Sequence, residues 1–217
     1  MTSSAPRIAV LISGEGSNLQ ALIDATRNGG IDGEIVCVLS NRAAARGLER
    51  ARRAGIQAQH LGSKDSDRAR YDVALTQAVG EHEPSLIVLA GFMQILGPSF
   101  LAHFGERILN IHPSLLPNYR GLDTHRRVLE AGDPTHGATV HFVTAQLDAG
   151  PRVLQYRLDV GPGDTVETLT ARVHTGEHII LPRAAAWFVS GRLRLTGSEV
   201  MLDGRLLQEP VVVEEQR

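Results

Sequence analysis

Four short runs of nearly uninterrupted apolar residues constrain this chain more than any other feature: RIAVLIS (Arg7 to Ser13), EIVCVLS (Glu34 to Ser40), PSLIVLAGF (Pro84 to Phe92) and RILNIH (Arg107 to His112). A strand with one wet face alternates apolar and polar residues; a continuous run means that both faces are covered, as in a parallel sheet sandwiched by helices. The intervening segments read as those helices. SNLQALIDATRNGG places Leu19, Leu22 and Ile23 at helical spacing before a pair of glycines, and AAARGLERARRAG stops at Gly55. A short strand over 57–61 precedes a predicted helix over Ser66 to Glu81. The expected fold is therefore α/β, an open and mostly parallel sheet with helices on both faces. Ligands of such sheets bind at the carboxyl ends of the strands, so chemistry is expected just after each apolar run.

Past Pro134 the rhythm changes. GATVHFV and PRVLQYRLDV flank the loop TAQLDAG and predict an antiparallel pair, giving a mixed C-terminal part. A long helix is expected from about Val166 to Ser190, bent at Pro182, and Asp203-Gly204 between apolar runs signals a hairpin. The 217 residues suit one domain. A net charge of -2 supplies no basic surface for nucleic acid. No apolar run approaches the roughly 20 residues that span a bilayer, and MTSSAPR lacks a signal-peptide core, so a cytoplasmic setting and no membrane partner are expected. Lys64 is the only lysine, and Cys37 the only cysteine; the latter reads as a buried small hydrophobe, which rules out a disulfide framework.

SGEGSN (Ser13 to Asn18) joins the first strand to the first helix. It lacks the Gly-Lys-Ser/Thr of a Walker loop. Leu19 stands where a dinucleotide fingerprint wants its third glycine, and no acidic residue ends the second strand. Two readings remain: a compact site for one phosphate at Gly16, Ser17 and Asn18, or a structural turn in which Ser17 or Asn18 caps the helix.

Nine histidines raise the question of a metal. His174 and His178 have the i,i+4 spacing, but Thr175 follows the first where a metalloprotease needs glutamate. His136 and His141 have no cysteine or carboxylate at ligand spacing, and His60 and His103 read as surface or half-buried residues without a role; no metal is expected. Asn110 and His112 differ, because i and i+2 on a strand share a face and they stand at its carboxyl end. An amide beside an imidazole suits stabilisation of an oxyanion. Ser114 lacks the nucleophile elbow, which leaves acyl transfer without a covalent enzyme intermediate. Asp148, in LDAGP, reads either as a turn residue or as the carboxylate that orients the imidazole.

Taken in order, IAVLISGEGSNLQALIDA, SNRAAARGLERARRAGI, LAGFMQIL, LNIHPSLLPNYRGLDTHRRVLEAGDPTHGATVHFVTAQLDAGP and the helix ending in WFVSGRL resemble the phosphoribosylglycinamide formyltransferases, folate-dependent enzymes of purine biosynthesis. The resemblance covers nearly the whole chain and implies a Rossmann-like sheet, with residues 1–110 as the nucleotide-binding half and 111–217 as the folate-side half. It gives Asn110, His112 and Asp148 the catalytic roles. Gly16, Ser17 and Asn18 inherit the phosphate of glycinamide ribonucleotide, and Glu177 its glycinamide end. The folate positions are Arg68, the wall Met93, Gln94, Ile95 and Leu96, then Asn110 and the backbone from Val143 to Asp148.

By the same resemblance, 10-formyltetrahydrofolate is the donor, transfer passes directly through a tetrahedral intermediate, and the protein is a monomer or homodimer. Asp123 departs from relatives that carry histidine there; His125 matches as a supporting position. Pro113 after the histidine, the loop GEGSN, the lack of room for a tRNA-binding domain and the few residues before the first strand separate this chain from methionyl-tRNA formyltransferases and formyltetrahydrofolate deformylases. Outside this class, a nicotinamide oxidoreductase lacks its fingerprint, and a non-catalytic nucleotide-binding regulator does not need Asn-x-His with Asp.

Overall fold

In a computed structural model, residues 5–62 and 67–216 are described. Lys64 and Ser66, the first residue of the expected third helix, lie outside them. In chain order the elements are β1 (Arg7–Ile12), α1 (Ser17–Arg27), β2 (Glu34–Ser40), α2 (Arg46–Arg53), β3 (Gln57–His60), α3 (Arg68–Gly80), β4 (Leu86–Leu89), α4 (Pro98–Phe104), β5 (Ile108–His112), α5 (Thr124–Ala131), β6 (Thr135–Phe142), β7 (Arg152–Asp159), α6 (Val166–Val189), β8 (Leu193–Thr196), β9 (Glu199–Leu202), β10 (Arg205–Leu206) and β11 (Val211–Glu214). Helices α4 and α5 and strand β11 were not anticipated. The first two are seven and eight residues long, too short to set a clear 3.6-residue period, and β11 is a four-residue edge strand.

Eight strands form one sheet in the order β11-β7-β6-β5-β4-β1-β2-β3. Parallel pairing links β3, β2, β1, β4 and β5, and also β7 with β11; β6 alone runs against its neighbours on both sides. This is the Rossmann-like, mostly parallel sheet with helices on both faces. A separate antiparallel sheet, β8-β9-β10, closes around the expected Asp203-Gly204 turn.

The continuous apolar runs explain the layers. Along β1, Ile8, Val10 and Ile12 enter one core with residues of α1, α2 and α6, whereas Ala9 and Leu11 enter a second core with Tyr71, Leu75 and Val79 of α3 and Phe100 and Phe104 of α4. Helix α6 starts where Thr165 and Thr168 exchange side-chain-to-backbone hydrogen bonds, which satisfies two amides of its first turn. It runs uninterrupted through Pro182 to Val189, burying Leu169, Val173, Ile180 and Leu181. At Gly176 a Cβ would lie 2.0 Å from Cδ1 of Tyr156 on β7, so α6 sits against the sheet at a distance only glycine allows.

That contact generates a stability prediction. Gly176→Ala should lower the unfolding free energy by about 1–3 kcal/mol through overpacking, although alanine favours a helix over glycine by about 1 kcal/mol. Urea denaturation measures the balance; a stabilised variant would show that the helix relaxes away from Tyr156.

Candidate active site

The strand order turns over between β1 and β4, which places a crevice at their carboxyl ends. After β1 the chain enters α1 through Gly16, whose φ of 76° is left-handed. A Cβ there would stand 2.6 Å from Gly47 Cα, and Gly47 N–H donates to Gly14 O at 3.1 Å, so the loop lies directly on the start of α2. Among the described residues no side chain caps helix α1, so its first turn offers N–H groups at the positive end of the helix dipole. Asn18 turns inward: its Nδ2 donates to Glu177 Oε2 at 2.7 Å, and its Oδ1 is buried without a partner among the described residues. Glu177 is buried on α6, and burial pushes its carboxyl above the ordinary range while the Asn18 donation opposes that shift. The packing of α1 on α6 thus brings Glu177 to Asn18, the residue that follows Gly16 and Ser17.

At the end of β5 the structure joins Asn110, His112 and Asp148. His112 is 5% exposed, and its Nδ1 lies 3.5 Å from Asp148 Oδ2. The other ring nitrogen, Nε2, donates to the carbonyl of Tyr119 at 2.9 Å; a carbonyl can only accept, so this nitrogen carries a proton. Asp148 Oδ2 accepts from the Gly121 amide at 2.9 Å, which holds the carboxylate across from the imidazole. The stiff turn between them is anchored from β6 and β7: Leu116 N–H donates to Thr139 Oγ1 at 3.1 Å, and Gln155 Nε2 donates to Leu116 O at 2.9 Å. Tyr119 has a φ of 54°, and its hydroxyl donates to Asp133 at 2.5 Å, which fixes the residue whose carbonyl orients His112.

His141 is the participant that sequence reasoning missed. It faces Asn110 across the antiparallel β5-β6 register. Its Nδ1 donates to Phe142 O at 2.8 Å, so its Nε2 is bare and accepts from Asn110 Nδ2 at 3.0 Å. Burial drives His141 down to about 4, which keeps it neutral near pH 7. Asn110 therefore spends one amide proton on His141 and keeps one for a ligand. The signal was present in GATVHFV, but finding it requires knowing that this strand pairs with β5 as well as with β7.

Beside Asn110 and Asp148 lies a cleft of about 80 Å³ whose lining includes Gln94, Ile95, Leu96 and Val143. Its missed lining residues are Leu89, Phe92 and His141. The wall is pinned at both ends. Met93 N–H donates to Ser13 Oγ at 2.7 Å, and at the start of α4 the amides of Gly97, Ser99 and Phe100 donate to the buried Asp72 carboxylate at 2.8, 2.8 and 3.2 Å. A larger recess of about 630 Å³ occupies the other flank of the Asp148 loop, against β9 and β10, and includes neither Asn110 nor His112.

Some expected positions stand apart. Arg68 is exposed at the start of α3, and Met93 is 59% exposed; neither lines the cleft. Asp123 precedes α5 with a left-handed φ of 56° and caps nothing with its side chain. His125 Nδ1 lies 2.9 Å from His136 Nε2, and His112 is near enough for its charge to act on the His125 ring. His60 and His103 are exposed. His174 and His178 stack at 6.4 Å, and among the described residues no three His, Cys, Asp or Glu are arranged to hold a metal ion.

Residues 6–185 match the family described as formyl transferase. The chain is 51% identical over 201 residues to phosphoribosylglycinamide formyltransferase of Escherichia coli (strain K12), covering 92% of this chain and 95% of that protein. It is 45% identical over 190 residues to the human trifunctional purine biosynthetic protein adenosine-3, covering 87% of this chain and 19% of that one. Among solved structures, the phosphoribosylglycinamide formyltransferase of Coxiella burnetii superimposes with a TM-score of 0.92 at 47% identity, covering 96% of this chain and 99% of that chain. A formyltetrahydrofolate deformylase from Pseudomonas syringae gives 0.85 at 26% identity, with 92% and 66% covered.

The buried imidazoles set a pH dependence. Burial lowers His125, His136 and His141 from an ordinary 6.5 to about 4. Between those values the unfolded chain takes up protons that the folded chain does not, so folding stability is complete above pH 6.5 and declines as pH falls towards 4. Urea unfolding from pH 7 to 4.5 should show this decline, and His125→Asn/His136→Gln should flatten it. An equal slope in both proteins would remove these two histidines as its source.

Proposed function

The chain belongs to the formyl transferase family, as an enzyme of its phosphoribosylglycinamide formyltransferase branch, and on that premise we propose that it transfers the formyl group of 10-formyltetrahydrofolate to the amino group of glycinamide ribonucleotide. The products are formylglycinamide ribonucleotide and tetrahydrofolate, in the cytoplasmic purine pathway. The observation that carries this reading is the convergence of Asn110, His112 and Asp148 beside the cleft at Gln94 and Val143, with the buried Asn18–Glu177 pair where α1 packs on α6. The cleft takes the folate and the Asn18–Glu177 corner the nucleotide.

In this mechanism the phosphate rests on the first-turn amides of α1, and Glu177 receives the glycinamide end. The amine attacks the formyl carbon, forming one carbon–nitrogen bond while the bond to the folate nitrogen is still intact. The tetrahedral oxyanion accepts hydrogen bonds from the remaining Asn110 Nδ2 proton and from Nδ1–H of protonated His112. Asp148 opposes the imidazolium charge and, through water, passes the proton lost by the amine towards the folate nitrogen as that bond breaks. No net proton is consumed.

Removing one oxyanion donor typically costs about 10²–10³ in rate. Asn110→Ala, His112→Ala and Asp148→Asn should each lower kcat on that scale and leave nucleotide binding within a fewfold of wild type. Mass spectrometry of the formylated ribonucleotide reads the first quantity and calorimetry the second; near wild-type kcat in His112→Ala would remove it from the mechanism. Glu177→Gln and Ser17→Ala should instead raise the KM for glycinamide ribonucleotide, and an unchanged KM in both would displace the nucleotide from this corner.

A further inference from the structure

Gln94 lines the cleft beside Asn110, and its carboxamide is not free to turn. A chain of hydrogen bonds begins at the backbone N–H of Met93, which can only donate, and ends at the Gln94 side chain. Met93 N–H donates to Ser13 Oγ at 2.7 Å. Ser13 is 2% exposed, and the one partner left for its hydroxyl proton is Asn41, at 2.6 Å. Turning the Asn41 amide around would leave that buried proton unpaired, which typically costs about 1–3 kcal/mol. Asn41 therefore presents Oδ1 to Ser13 and Nδ2 to Gln94, where Nδ2 donates to Oε1 at 3.0 Å. With its oxygen turned towards Asn41, the Gln94 amide points its Nε2 protons the other way, and these have no partner among the described residues.

We propose that Gln94 is a specificity-determining residue that presents N–H donors to an acceptor oxygen of the folate, and that Asn41 and Ser13 are positioning residues which fix that polarity. The proposal rests on the reading of the cleft as the folate side. An amide free to rotate offers its oxygen as readily as its nitrogen, and so discriminates little between ligand donors and acceptors. An amide held by Asn41 rejects a ligand donor at the same place, because two donors would then face one another. Ser13, the second member of the relay, lies one residue before Gly14, so the end of β1 positions the nucleotide loop and the folate wall together.

The test is a double-mutant cycle on Gln94→Leu, Asn41→Ala and their combination, read as KM for each substrate and kcat, with thermal melts to check folding. Gln94 is only half-buried, so its substitution leaves the fold intact. Loss of the donor in Gln94→Leu should raise the KM for 10-formyltetrahydrofolate about tenfold, with kcat and the KM for glycinamide ribonucleotide within about twofold. Asn41→Ala should raise the folate KM by a smaller factor, and the double variant should be no worse than Gln94→Leu alone, because Asn41 acts through Gln94. An unchanged folate KM in Gln94→Leu overturns the proposal, as does an Asn41→Ala penalty of the same factor in both backgrounds. If the wild-type protein neither turns over nor binds the folate, the reading of the cleft fails first and takes this proposal with it.

Discussion

The antiparallel register between β5 and β6 is the contact on which the site depends. Five parallel strands supply the crevice, but parallel neighbours alone would not set an imidazole against Asn110. Because β6 reverses direction, His141 pairs with Asn110 and Thr139 with His112. Each pairing then does separate work: His141 orients the Asn110 amide, and Thr139 grips Leu116 in the turn that returns to cover His112. A one-residue slip would turn both side chains to the opposite face of the sheet, so the register sets which side chains meet as well as the pairing.

Burial protects this arrangement in a way that charge would not. Protonated, His141 would present Nε2–H to Asn110 Nδ2, donor against donor, and the amide would have to turn its oxygen to the ring. Desolvation prevents this, because the charged imidazole is the costlier form in a site where His141 is 2% exposed. The carbonyls of Phe142 and Tyr119 complete the assignment, one fixing Nδ1–H on His141 and the other Nε2–H on His112. Backbone carbonyls cannot change polarity, which makes them dependable anchors for two rings that can.

Much of the scaffold was legible in the sequence because its cause is local. Uninterrupted apolar runs mark β1, β2, β4 and β5 as covered on both faces, and the i,i+2 spacing of Asn110 and His112 follows from strand geometry. What stayed hidden depends on pairings between distant segments. His141 looked idle because its partner stands on a strand 31 residues earlier. Asp148 reads equally well as a turn residue until the chain folds back, and its left-handed φ of 48° shows that it is a turn residue as well as the carboxylate beside His112. His125 keeps its supporting position beside His112, whose charge it feels, while its ring reaches His136, a pairing between α5 and β6 that sequence spacing does not set. Arg68 and Met93 took their folate roles from resemblance alone, and neither is among the residues that line the cleft.

The pins on the cleft wall share one logic. The segment from Met93 to Leu96 belongs to no helix or strand, and a loop of four residues without internal hydrogen bonds has no intrinsic reason to hold a shape. It is held because each end is tied to a buried side chain on a regular element or at its end, Ser13 after β1 and Asp72 on α3. The Asp72 carboxylate gathers three amides where α4 begins, satisfying donors that the first turn of a helix leaves open. A Cβ on Gly97 would come within 2.4 Å of that carboxylate, so the close approach requires glycine there. The same economy recurs at Gly16 against Gly47 and at Gly176 against Tyr156: where two elements must meet closely enough to fix a loop or a carboxylate, the side chain is removed and the backbones or rings touch directly. Binding surfaces built from loops thereby acquire the rigidity of the sheet without becoming part of it.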